Sequence, residues 1–368
     1  MIARPLQPDD ILGATESSFG FYALLPGDEP RLCTDWPRGD LAELGGALTR
    51  SAEISADDEQ AIDKLSLALL ALGAGPLPDG IDWRATADAL SLLYARHLKP
   101  DGVRRIRMKA ARSNFYLRDR LDASIADGAN IIDERRFSQP FVWDWLPLPE
   151  GELSADSSDL NVSYRAPDGK SVSVRLGLPT QIDMLGHGRC SLTSCYRAGW
   201  YAWNRPDSQE FYNHPHPVVL VFAARGELHF LDRAGCIYRV GSDEPVARIP
   251  VDAVWRARLL DARVYVSDWS EPRTLTVVNT HDWRHGKIDT GPVLITNDIC
   301  QVDDRFYVID KMQGRVFSFD EQFVPIDACM SFGKGRGRLF DPITLRVHNG
   351  NICVLSWLTG ALATIRPF

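Results

Sequence analysis

The stretch from Phe332 to Phe368, FGKGRGRLFDPITLRVHNGNICVLSWLTGALATIRPF, decides how the rest of the chain is read. A glycine-rich loop, Gly333 to Arg338, leads into an apolar strand, Ile343 to Val347. Asn349-Gly350 follows, the strongest short hairpin signal, because both residues accept positive φ. A second apolar strand ends at Ser356, Thr359-Gly360 makes another tight turn, and Ala361 to Arg366 reads as a third strand. Three antiparallel strands joined by tight turns form one sheet unit, and the pattern stops one strand short of four.

Moving outward from that unit, its middle strand recurs. Cys353-Val354-Leu355-Ser356 has counterparts at Tyr307-Val308-Ile309-Asp310, Tyr265-Val266-Ser267-Asp268, His229-Phe230-Leu231-Asp232 and Ser191-Leu192-Thr193-Ser194, with Phe141-Val142-Trp143-Asp144 as a sixth. Trp follows the closing residue at Trp145, Trp269 and Trp357. Successive copies lie roughly 36 to 50 residues apart, about the length of a four-stranded repeat. The unit resembles an NHL repeat, one blade of a β-propeller. The resemblance covers the last blade well and the others loosely, and it implies a mainly β fold.

The reading is a six-bladed propeller over 129–368, with five blades and an irregular 129–180 as the alternative. Each copy parses into strands A to D. The fifth is Asn297–Val302, Arg305–Ile309, Arg315–Phe319 and Phe323–Met330, and the first is 129–135, 140–145, 159–165 and 170–177. An open sheet edge leaves backbone groups unpaired, so a propeller closes by pairing its two ends. The irregular segment 1–38 is expected to supply the missing outer strand through Phe19–Leu25. Residues 39–128 have helical periodicity, with Asp82 capping a helix and Ile106, Leu117, Leu121 and Ile125 on one side of the last.

Composition bounds the functional classes. The 368 residues are 45% hydrophobic and 24% charged, the balance of a soluble globular protein. A net charge of -8 argues against a general nucleic-acid binder. Neither an apolar leader nor a transmembrane run is evident. Seven cysteines without a CxxC pair read as buried thiols in a reducing cytoplasm. There is no GxSxG, P-loop, HExxH or CxxC signature.

The parse sorts candidate site residues by face. The B–C and D–A loops share one face, here called upper, and the A–B and C–D loops share the other. The upper face collects Trp145, Trp269 and Trp357, Arg197, and Lys334, Arg336 and Arg338 of the GKGRGR loop, with Arg256 placed to orient an anionic group. Aromatic faces and cationic donors around one mouth suit a peptide, or an anionic or aromatic ligand. His214 and His216, in Asn213-His214-Pro215-His216-Pro217, are the metal candidates, with Asp183, Asn297 or Asp298 supplying oxygen. Arg105, Lys109 and Arg112 make a basic stripe on the last helix, a patch for an acidic partner.

The resemblance implies two classes of function. Many NHL-like propellers are recognition platforms, whereas peptidyl-hydroxyglycine lyases and gluconolactonase-type propellers carry a divalent metal in the channel. The inner-strand centres here, Leu220, Ala257, Cys300 and Leu345, are largely apolar and give no full ligand set. The leading expectation is therefore a cytoplasmic recognition protein that binds a peptide or protein on the upper face. The alternative is a metal-assisted lyase or hydrolase at the channel mouth, with a divalent metal as cofactor. RNA binding through the basic helix ranks third.

Overall fold

The computed structural model describes residues 77, 79, 82–96, 104–122, 130–137 and 142–368. Short breaks fall at 157–159, 176–178, 187, 195–196, 203–208, 215, 334 and 358. The chain divides into two units, 1–124 and 125–368.

In the first unit, two helices pack together: α1, Trp83–Arg96, and α2, Arg104–Leu121. Asp82 caps α1 by accepting the Ala85 N–H at 3.0 Å. Ala87, Leu90 and Leu93 of α1 and Ala110, Phe115 and Leu117 of α2 are buried. A polar seam fixes their register: Arg118 donates to Asp88 at 2.5 Å and Asn114 at 3.0 Å, and Ser91 donates to Asn114 at 3.0 Å. No helix among the described residues is long and apolar enough to cross a membrane.

The second unit is a six-bladed propeller of four-stranded antiparallel sheets. Blade 1 is β2 (Val142–Leu148), β3 (Gly151–Asp156), β4 (Asn161–Arg165) and β5 (Ser171–Arg175). Blade 2 is β6 (Pro179–Gly186), β7 (Arg189–Ser194), β8 (Arg197–Ala202) and β9 (Gln209–Asn213). Blade 3 is β10 (Val218–Ala224), β11 (Glu227–Asp232), β12 (Cys236–Arg239) and β13 (Pro245–Arg248). Blade 4 is β14 (Val254–Leu260), β15 (Arg263–Asp268), β16 (Thr274–Asn279) and β17 (His285–Asp289). Blade 5 is β18 (Thr296–Val302), β19 (Arg305–Asp310), β20 (Arg315–Phe319) and β21 (Pro325–Cys329). The GKGRGR loop then runs between two short parallel strands, β22 (Ser331–Phe332) and β23 (Arg338–Leu339). Blade 6 has β24 (Pro342–His348), β25 (Asn351–Ser356) and β26 (Ala361–Ile365), and its hairpin turns on Asn349 and Gly350 at φ 50° and 72°.

The outer strand of blade 6 is β1, Ile131–Arg136, which pairs antiparallel with β26. This strand closes the ring by joining the first and last strands of the propeller in one sheet. Phe19–Leu25, expected in that slot, lies outside the described residues. The first blade needs correction as well. Residues 129–135 were expected as its inner strand, yet most of them form β1. Residues 140–145 were expected as its second strand, but Val142–Leu148 is the inner one. The true second strand is β3, and its closing residue is Asp156, not Asp144. The reason is local: Val-Trp-Asp on an inner strand has the same apolar-then-acid pattern as the repeated second strand.

That repeated acid is structural. Asp268 accepts the Asp252 and Ala253 N–H groups at 3.0 and 3.1 Å and the Ser270 N–H at 2.8 Å. Asp310 does the same with Leu294 at 2.6 Å and Met312 at 2.8 Å. Each carboxylate ties its own B–C turn to the D–A loop before it. Between blades, apolar side chains interleave, as Leu345, Val354 and Ile365 do with Tyr307, Ile309 and Val316. Each such burial is worth about 1.5–3 kcal/mol.

All six inner strands carry a register break near their upper end. The residues skipped are Trp143, Thr180, Val219, Trp255, Asn297 with Asp298, and Ile343. A bulge bends a strand and re-aims the extra residue, so this ring of bulges sets what the upper channel mouth displays.

Candidate functional site

The channel is closed by charge. Asp144, Asp183, Asp298, Arg256, Arg258 and Arg346, from five inner strands, form one network, and all but Asp183 are buried. Arg258 donates through Nε and Nη2 to the two oxygens of Asp298, both at 2.7 Å, and through Nη1 to Asp183 Oδ1 at 2.6 Å. Arg346 reaches both oxygens of Asp144 at 3.0 and 2.9 Å, Asp183 Oδ1 at 3.1 Å and the Trp145 carbonyl at 2.9 Å. Arg256 donates to the Ile343 carbonyl at 2.8 Å and to Thr344 Oγ1, and lies 3.5 Å from both Asp144 and Asp298. Three guanidiniums meet three carboxylates, so the plug has no net charge. Buried ions persist only when paired and hydrogen-bonded in this way.

The protonation behaviour follows from these distances. Burial alone would raise the Asp144 carboxyl, but Arg346, Arg256, Arg258 and the Ile182 N–H outweigh it and hold it below the ordinary carboxylate value. Burial disfavours the charged form of both central arginines. For Arg258 the close carboxylates of Asp183, Asp298 and Asp144 reverse that and raise its pKa. Arg256, at 3.5 Å from its two acids, stays lowered. Asp183, with its side chain 17% exposed, is the one member of the plug that is not buried.

Above the plug sits a tryptophan roof. Trp143 of blade 1 and Trp255 of blade 4 come from opposite sides of the ring, yet their rings meet edge to face at 5.8 Å. Trp357 packs edge-on against Trp143 at 4.9 Å, and Trp269 stacks on Trp255 at 4.0 Å. The Arg233 guanidinium lies over both Trp255 and Trp269, 6.0 and 5.7 Å from their centroids. The Trp255 indole N–H donates to Asn297 Oδ1, which fixes the ring. Trp143, Trp255 and Trp269 remain half-buried, so the roof keeps aromatic surface at the solvent boundary.

Of the residues nominated from sequence, Trp269 and Trp357 follow second strands on the upper face and belong to the roof. Trp145 does not start a B–C loop: it lies within β2, buried, and donates to Glu152 at 2.8 Å. Arg256 belongs to the plug. Arg197 begins β8. Arg336 is exposed in the loop before blade 6, Arg338 is half-buried beside Gly333, and Lys334 lies outside the described residues. Arg105 and Lys109 fall on α2, and Arg112 is half-buried there.

His214 and His216 lie side by side, ring centroids 5.7 Å apart, but the oxygen candidates are engaged elsewhere. Asp183 and Asp298 are held by Arg258, and Asn297 donates to the Pro342 and Ile343 carbonyls at 3.1 and 2.9 Å. His214 instead packs on Phe230 and Tyr238 and sits 3.7 Å from Asp232 Oδ2. Burial lowers its pKa, an effect that Asp232 offsets only in part. A divalent cation in the channel would face three guanidiniums, so this donor set does not fit the metal that the resemblance implies. Among the described residues no group of three or more His, Cys, Asp or Glu is arranged to hold a metal ion.

Sequence reading missed Trp143, Trp255, Arg258, Arg346 and Asp144 as site residues. A signal was present: the charges flank the apolar inner-strand centres, as Arg256 and Arg258 do Ala257. No protein-family model matches the chain, and no curated protein matches it. Solved structures similar in fold include a streptogramin B lyase, 9% identical over 66% of this chain and 89% of that one, with a TM-score of 0.49. Virginiamycin B lyase from Staphylococcus aureus is 9% identical over 64% and 99%, with a TM-score of 0.48. The WD40 propeller domain of Doa1 is 10% identical over 65% and 97%, with a TM-score of 0.44.

Proposed function

We propose that this protein is a recognition module that binds a peptide or protein partner on its upper face, with the tryptophan roof as the main contact. The observation that carries the reading is the contact of Trp143 with Trp255 across the channel axis. Two indoles from opposite blades roof the mouth, and a neutral, fully bonded plug fills the space below. Such a mouth offers surface rather than a deep pocket, which suits a chain laid over it. Trp and Arg are the residues that dominate binding energy at such surfaces, and truncating a central one costs about 2 kcal/mol or more.

A random peptide library panned on the full-length chain tests this. Enriched peptides should bind Trp269→Ala about 30-fold more weakly, the equivalent of about 2 kcal/mol. Peptides that bind the variant as well as the parent chain would refute the reading.

A further inference from the structure

The six outer strands are not protected alike. An outer strand presents unpaired N–H and C=O groups, and proteins blunt it with bulges, proline, glycine or charge. β1 has a register break and carries Asp133, Glu134, Arg135 and Arg136. β13 and β21 each open on a proline, and each has a register break against its inner neighbour. β17 holds Gly286, Lys287 and Asp289. β9 carries Glu210 and runs into the proline-flanked histidines. β5, SVSVR, has no bulge, proline or glycine. Its register with β4 is unbroken from Asn161–Arg175 to Arg165–Ser171. Its only charge is the terminal Arg175, and Val172 is 41% exposed.

We propose that the β5 edge is a docking site for an extended acidic segment of a partner polypeptide, which joins blade 1 as a fifth strand. Main-chain hydrogen bonds along a free edge supply affinity in this mode, and alternate side chains supply selectivity. Charge selects the occupant. Between 161 and 175 there are three cations, Arg165, Lys170 and Arg175, against one acid, Asp168, a balance of 3 − 1 = +2. That acid is engaged by Lys170 at 2.7 Å. A second copy of this chain would bring an equal positive edge against the first, whereas an acidic strand neutralises it. The site is separate from the tryptophan roof and does not depend on the upper-face reading.

The probes are two labelled peptides, Glu-Val-Thr-Val-Thr-Val-Glu and the same peptide with lysine at both ends, titrated into the full chain by fluorescence anisotropy. The glutamate peptide should bind at least tenfold more tightly and slow amide exchange at 171–175. Val172→Lys should weaken it at least tenfold, and Lys170→Glu with Arg175→Glu should reverse the preference. Three outcomes overturn the proposal. The glutamate peptide does not bind or binds no better than the lysine one; protection falls elsewhere; or sedimentation shows a dimer that Val172→Lys dissolves, which would make a second copy the occupant.

Discussion

Removing one charge from the channel plug should cost far more than removing a matched pair. Asp298 accepts two bonds from Arg258 and the N–H groups of Ile299 and Leu345, at 3.0 and 2.9 Å. Asp298→Asn keeps the shape but leaves three guanidiniums facing two carboxylates. Breaking a buried pair on one side costs about 3–5 kcal/mol. For a unit of this size that lowers the melting temperature by about 6–20 °C, at roughly 2–4 °C per kcal/mol. Arg258→Met alone should cost a similar amount, because it leaves three carboxylates facing two guanidiniums. The double variant restores a two-against-two balance and should cost no more than either single. The assay is urea unfolding of the parent, both singles and the double, followed by tryptophan fluorescence, with the coupling taken from the cycle. Additive losses, or a cost under about 1 kcal/mol for Asp298→Asn, would refute the view that the plug acts as one balanced unit.

Further expectations follow from the same geometry. Acid should destabilise the propeller in two stages. The folded pKa of His214 lies below its unfolded value, so its contribution is present above about pH 6.5 and is lost as pH falls through the folded value. The Asp144 carboxyl is also held down, so its contribution is present above about pH 4 and disappears on further acidification. Melting curves against pH should show both stages, and His214→Gln should remove part of the first. Arg135→Pro in β1, opposite Leu362 and in phase with the Phe137 N–H that donates to the Gly360 carbonyl, removes a bond of the closing pair and should cost about 1–3 kcal/mol, with Arg135→Ala within about 1 kcal/mol by urea midpoint. Native alkylation should reach Cys236 before Cys190, Cys300, Cys329 or Cys353, which are buried. Mass spectrometry of labelled peptides reads that order.

Much of the fold was legible because turns and repeats are local. Asn349-Gly350 announced a hairpin, and the strand ending in Asp310, Asp268 or Asp232 recurred at blade spacing. The error at Val142–Asp144 arose where an inner strand imitates that mark. The site was less legible because the ring joins residues that the sequence separates. Asp144 and Arg346 meet across 202 positions, and Arg258 and Asp298 across 40. Trp269 and Trp357 stood out because they follow a repeated strand. Trp143 and Trp255 owe their place to bulges, which shift the alternation of a strand and leave no periodic trace. The sixfold recurrence of that strand carried the blade count but not the contents of the channel.

The most direct test of the account is an amide-exchange footprint of the full chain with and without a library-selected peptide. Upper-face recognition predicts slowed exchange around 143–145, 254–257 and 269–273, lost in the Trp269→Ala variant. Protection confined to the lower-face turns, or a footprint indifferent to Trp269, would contradict it.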